Sequence, residues 1–220
     1  LPMTTRNTIA EYIKKADYPA LVSEANKNQA KVLKYVQSYI YGDYDDPIRW
    51  QAISAFGHLA HEYADIYDEP YRNVLRRSLW AMNDESGNVP WSAPEVMAAI
   101  IKAAPKYNYD FTAPMLTNGL DNPMCHIGVL WAVGHLGSDF NADLAQFLPR
   151  LTFALQSDDA LLCGYAIYAF TSCAYKEVAE LMKPLCNVNA PLVIYKDEQL
   201  QKTTVSALAQ NYLREVCAHE

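Results

Sequence analysis

Apolar residues along this chain recur at intervals of three and four, not in strict alternation. Ile48, Ala52, Ala55, Phe56 and Leu59 form one stripe. Val96, Ala99, Ile100 and Ala103 form a second, and Ile127, Leu130, Trp131 and Gly134 a third. This is the 3.6-residue period of helices with one buried face. Start and stop signals punctuate the stripes. Asp46 before Pro47 reads as an N-cap followed by proline at the first helical position, so a helix is expected over 47–61. Ser92, Pro94 and Glu95 read as a capping box. Thr112 and Pro114 open a short helix that Gly119 closes. Asn122 and Pro123 open the next, which Gly137 closes. Asn141 opens a helix that bends at Pro149. Ser157 and Asp158 cap a helix through Tyr175, and 176–186 gives another. Residues 191–195 read as extended before a last helix over 197–217. The N-terminal 5–39 holds two or three more. No stretch combines sustained alternation with hairpin signals. The expectation is an all-α chain of about ten or eleven helices.

The chain also repeats itself. Ala55, Phe56, Gly57, His58, Leu59 and Ala60 recur as Ala132, Val133, Gly134, His135, Leu136 and Gly137. A weaker copy is Ala169, Phe170, Thr171, Ser172, Cys173 and Ala174. Each follows an acidic or polar turn: Asp45 and Asp46, Asp121 and Asn122, Ser157 to Asp159. The matched alanines lie 77 and 37 residues apart, and 77 is about twice 38. A missing copy falls near 95–104, and a further step reaches Ala207. A period of this size is that of a helix pair stacked on its neighbours, which supply the core that one pair lacks. Small residues such as Ala55, Gly57, Ala132 and Gly134 let adjacent helices approach closely.

The run Asp45-x-Pro47-x-Arg49, with Ala52, Ala55, Phe56, Gly57 and Leu59 following, resembles the second helix of a HEAT repeat, closest to the PBS-lyase-like type. The resemblance spans roughly 30–217. It is clear in the first and third copies, although the third has His126 or Gly128 near the place of the arginine. It implies a single domain over 1–220: a right-handed α-solenoid of about five HEAT-like helix pairs, with an N-terminal cap at about 5–40 and repeats over about 41–217. A narrower resemblance lies in Leu79-Trp80-Ala81-Met82-Asn83-Asp84-Glu85-Ser86-Gly87 followed by Trp91, Ala93, Pro94 and Glu95. It is similar to a segment of a prokaryotic HEAT-repeat subfamily of unknown function. That resemblance implies no substrate.

Composition agrees with helices. Alanine is the commonest residue at 29 and glycine is scarce at 8, the balance that favours helical backbone. The formal charge is −7, which opposes non-specific nucleic-acid binding because no basic excess exists to displace counterions. Two small basic groups remain, Lys27, Lys31 and Lys34 on one helical face and Arg72, Arg76 and Arg77. Both read as solvated faces. The five cysteines, Cys125, Cys163, Cys173, Cys186 and Cys217, are odd in number and lack CxxC spacing. A reducing cytoplasm fits them. No uncharged run reaches the length of a membrane span, and the N-terminus lacks a signal-peptide core.

The segment 83–91 is the candidate site. It lengthens the second repeat and gathers polar groups between two tryptophans. The residues expected to meet a partner are Trp80, Asn83, Asp84, Glu85, Ser86, Trp91 and Glu95. Carboxylates beside aromatic rings suit a cationic or sugar-like ligand, or a partner's basic side chain. EF-hand spacing is absent, so no metal is expected there. His58 and His135 occupy equivalent repeat positions, which points to a recurring packing role. Deoxyhypusine hydroxylase, a HEAT-like di-iron enzyme, uses His-Glu pairs inside successive repeats. Here His61-Glu62 and His219-Glu220 are misplaced for that. Cys125 and His126 diverge by about 100° on a helix and make no nucleophile–base pair. The expected function is a cytoplasmic, non-enzymatic scaffold binding a protein or peptide of basic character, with no cofactor, no metal and no catalytic residue. The alternatives are a bilin lyase-like enzyme and a HEAT-like alkylpurine DNA glycosylase, which the acidic balance opposes.

Overall fold

The structure is a computed structural model that describes residues 4–83, 85 and 91–218. It is predominantly helical. The helices are α1 (Arg6–Lys14), α2 (Tyr18–Ala25), α3 (Gln29–Gln37), α4 (Pro47–Tyr63), α5 (Asp68–Ala81), α6 (Ala93–Ala103), α7 (Asn108–Asp121), α8 (His126–Leu136), α9 (Asn141–Leu144), α10 (Ala160–Ser172), α11 (Ala179–Leu185) and α12 (Val205–Tyr212). Among the described residues, no helix is long and apolar enough to cross a membrane. Internal contacts divide the chain into two compact units, Leu1–Asn118 and Gly119–Glu220.

Local chemistry starts half of the helices. Thr5, Asp17, Asn28, Asp46, Asp159 and Thr204 each accept a hydrogen bond from a backbone N–H in the following turn. Such caps satisfy donors that have no partner inside the helix. Gly137 closes α8 at φ 69°, a conformation that a Cβ would strain.

In the first unit α4 is the central element. It buries Trp50, Ile53, Phe56 and Leu59, and it packs on α1, α2, α3 and α6. Helix α6 is buried along 93–101, so it is apolar all round rather than on one stripe. A Cβ on Gly57 would sit 3.4 Å from the Ala99 carbonyl oxygen of α6, close but tolerable. The single hydroxyl proton of Tyr71 on α5 is shared between Gln29 Oε1 at 2.7 Å and the Leu59 carbonyl at 3.0 Å. Those bonds tie α5 and α3 to the end of α4.

In the second unit α8 packs on α10, and α10 on α12. Gly134 of α8 lies against the Tyr168 ring of α10, where a Cβ would clash. A two-stranded antiparallel hairpin, β1 (Pro191–Lys196) and β2 (Gln199–Thr204), packs on α10 through β1. Trp131 Nε1 donates to the Tyr195 carbonyl at 2.9 Å, and the Tyr195 N–H donates to the Tyr165 hydroxyl at 2.9 Å. Side chains of α8 and α10 thereby satisfy strand backbone that would otherwise stay unpaired.

Four expectations are corrected. The chain is not free of strands: 197–204 is a turn and a strand, and the last helix begins at Val205 instead of Asp197. The turn residues Asp197 and Glu198 both have positive φ, 52° and 59°. A hairpin of this kind ordinarily signals itself with Asn-Gly, and here that signal is missing. The capping box at Ser92 is absent. Ser92 itself sits at φ 51° and makes no cap bond. Its hydroxyl donates to the Ile40 carbonyl at 2.7 Å, and Glu95 turns to Arg49. Helix α7 begins at Asn108 and carries Pro114 inside it. The carbonyl that loses its donor belongs to Asp110, an exposed residue of the first turn. Residues 141–156 form a short α9 followed by a 3₁₀ stretch, Leu148–Gln156, in place of one bent helix.

Candidate partner-binding site

The turn before α4 is held from two sides. Trp50 Nε1 donates to the Tyr44 carbonyl at 2.7 Å, and Ser92 holds the Ile40 carbonyl from the start of α6. The Asp46 carboxylate caps α4 through the Ile48 N–H at 2.9 Å and folds back against Gly42, where any Cβ would strike it. Exposure then alternates through the turn. Tyr41, Asp43 and Asp45 are exposed, while Gly42, Tyr44 and Asp46 are half-buried.

Trp91 meets this turn. Its ring lies edge-on to that of Tyr41, with centroids 6.3 Å apart and planes at 87°. This is a preferred aromatic geometry, and both rings remain about half exposed, 48% for Trp91 and 49% for Tyr41. The positive φ of Ser92 sets the direction in which the chain leaves Trp91 for α6.

Beneath the turn lies an ion pair, Arg49 of α4 with Glu95 of α6. The side chains are 3% and 2% exposed. The Arg49 guanidinium also lies over the rings of Tyr44, at 4.6 Å, and Trp50, at 4.4 Å. Its Nη1 has no hydrogen-bond partner among the described residues. A buried charge is tolerated only when paired, so this contact fixes α4 against α6 with geometric specificity.

The expected site residues are thus dispersed. Trp91 is exposed and paired with Tyr41, a residue outside the predicted set. Trp80 is exposed at the end of α5 and makes no ring contact with Trp91. Asn83 Oδ1 accepts from the Glu85 N–H at 3.0 Å, a local turn, and Glu85 is exposed. Asp84 and Ser86 lie outside the described residues. Glu95 is withdrawn into the core and reaches no partner surface.

Other candidates resolve into structural roles. Arg72 bonds Asp68 Oδ2 at 2.7 Å and Asp110 Oδ2 at 2.9 Å, Arg76 bonds Glu69, and Lys27 bonds Glu24. Those cations are partly neutralised by their neighbours. Burial opposes ionisation of Asp68, but hydrogen bonds from Lys106, Arg72 and Tyr107 outweigh it and hold its carboxyl down at about 2. His58 stacks on Tyr18 at 4.1 Å, and His135 on Trp131 at 4.5 Å. Both equivalent histidines therefore lie flat on an aromatic ring. His126 Nε2 is 2.9 Å from the Leu120 carbonyl. Burial pushes the Cys163 thiol up to about 11 and Cys173 to about 12, so neither is a thiolate near neutrality. Among the described residues, no group of three or more His, Cys, Asp or Glu side chains is placed to hold a metal.

The second unit holds a cavity of about 380 Å³, lined chiefly by Leu155, Cys163, Leu181, Leu185 and Val205, with exposed Asp158 its charged member. No cation lines it.

A scan against known protein families finds no match, and a search of curated proteins finds no relative.

Proposed function

We propose that this chain is a non-enzymatic scaffold that docks a partner protein at the turn before α4. We read the whole chain as a right-handed α-solenoid of about five HEAT-like helix pairs working in the cytoplasm. Alternate helices pack on each other within each unit, α4 on α6, α8 on α10 and α10 on α12. The repeated glycines Gly57 and Gly134 lie at two of those contacts. This supports the repeat reading.

The observation that carries the function is the exposed Tyr41–Trp91 pair on an anchored, acidic turn. Large aromatic groups left half in water on a rigid base make anchors for a partner, because they bury much area at little entropic cost. Charge around them steers the encounter. The test is recovery of the partner from cells of the source organism with wild-type and Trp91→Ala chains. Recovery falls at least about tenfold in Trp91→Ala, the size of a hot-spot loss, while thermal unfolding stays unchanged. Equal recovery, or loss of the fold, contradicts the proposal.

A further inference from the structure

The half-exposed aromatic pair has a definite shape. The two ring planes stand at 87°, edge-on to one another, and each ring keeps about half its surface in water. Exposed Asp43 and Asp45 belong to the same turn as Tyr41. Among the described residues, no ion pair or side-chain hydrogen bond engages either carboxylate.

Two cations of this part of the chain lie against aromatic rings. Arg49 is buried against Glu95, and Arg6 lies over the neighbouring Tyr39 ring at 5.7 Å. The turn therefore offers half-exposed aromatic rings together with carboxylates that, among the described residues, no ion pair neutralises. A hydrocarbon side chain would use the rings alone. An anion would be repelled by both aspartates.

We infer that the ring pair of Tyr41 and Trp91 seats an arginine side chain of the partner, with Asp43 and Asp45 accepting from its guanidinium. This rests on the scaffold reading and deepens it by naming what the partner presents. Guanidinium is favoured over ammonium for two reasons. It is flat and weakly hydrated, so it stacks on an exposed ring with little desolvation cost. Its N–H groups also form a fork, which carboxylates on one side of a ring can meet while the plane stays stacked. The chain already shows the first half of this chemistry internally, where Arg49 lies over Tyr44 and Trp50 while paired to Glu95.

The test uses the full-length ¹⁵N-labelled chain and three short acetylated peptides that differ only in carrying arginine, lysine or citrulline. The readout is the Trp91 indole resonance, assigned by its absence in Trp91→Phe. Citrulline keeps the shape of arginine and removes the charge. The arginine peptide is expected to move this resonance saturably at low salt, with the lysine peptide at least about threefold weaker and citrulline without effect. The Asp43→Asn, Asp45→Asn double variant is exposed at both positions, and its intact fold is checked by the unchanged remainder of the spectrum. It weakens arginine binding roughly tenfold, and 0.3 M salt weakens it similarly, as expected of an exposed charged contact. An equal response to citrulline, tighter binding of lysine, or a still Trp91 resonance overturns the inference. If Trp91→Ala abolishes partner recovery while the arginine peptide leaves Trp91 unmoved, the scaffold stands and the arginine seat falls. If Trp91→Ala leaves recovery unchanged, the scaffold reading falls whatever the peptides do.

Discussion

The first and third copies of the repeat start from the same letters and end differently. Both place a glycine and a histidine on a central helix, and in both the histidine stacks on a ring. The turns that introduce those helices diverge. Before α4, Asp46 caps the helix directly, and Arg49 is sealed into the core with Glu95. Before α8, Asn122 caps a 3₁₀ turn, Pro123–Cys125. Near the place of the arginine stands His126, half-buried against the Leu120 carbonyl and tilted on Phe153 at 5.0 Å. The two copies therefore keep these packing positions while the turns before them differ. The first copy has spent a buried ion pair on fixing its turn, and that is the turn carrying the exposed ring pair.

The sharpest way to break the comparison is at that ion pair. Arg49→Ala or Glu95→Ala leaves the other charge buried alone, and each is expected to lower stability by about 3–5 kcal/mol in denaturant unfolding. The apolar double exchange, Arg49→Met with Glu95→Leu, should recover most of that loss. His126→Ala, at the corresponding place, costs only about 1 kcal/mol, the worth of one hydrogen bond. Equal losses at Arg49 and His126 would erase the distinction.

A smaller effect separates the two glycines. Gly134→Ala drives a methyl into the Tyr168 ring and should cost about 1–3 kcal/mol. Gly57→Ala meets only the Ala99 carbonyl oxygen at 3.4 Å. There the better helix propensity of alanine offsets the contact, so stability should change by less than about 1 kcal/mol. Thermal melts of the two variants decide it.

The smallest effect is acid sensitivity in the first unit. Asp68 in the folded chain titrates at about 2, below the ordinary 3.8. Its ionised form is favoured by folding, so this contribution is complete above about pH 4 and fades as pH falls towards 2. Asp68→Asn removes that part of the slope between pH 4 and 2 in pH-dependent denaturant melts. An unchanged slope would show that Lys106, Arg72 and Tyr107 do not act on Asp68 as described.

The sequence is legible where one residue decides the local outcome. Asp46, Asn122 and Gly137 act at helix ends as their types require, and the helical stripes lie where the apolar period puts them. Legibility fails where a distant group outbids the local one. Ser92 and Glu95 have the letters of a capping box, but the Ile40 carbonyl and Arg49 take their side chains. The hairpin is hidden because Asp197 and Glu198 adopt left-handed backbone without glycine, held there by strands that dock on α10. At the candidate site, Trp91 was recognisable as an aromatic beside a polar stretch. Its ring partner Tyr41 was not, because only long-range contacts, the Ser92 bond to Ile40 and the Arg49–Glu95 pair among them, bring those two parts of the chain together. Tyrosines beside acidic residues, as over 39–46, are the hint the letters offer.

The most direct measurement of the central claim is site-specific photo-crosslinking in living cells, with the same photoreactive phenylalanine, which keeps an aromatic ring, placed at four exposed positions. Tyr41 and Trp91 sample the first-copy turn, and Met124 and Phe153 sample its third-copy counterpart. One shared crosslinked protein is expected at positions 41 and 91, and none of it at 124 and 153. The same product at all four positions, or that product only at 124 and 153, would contradict it.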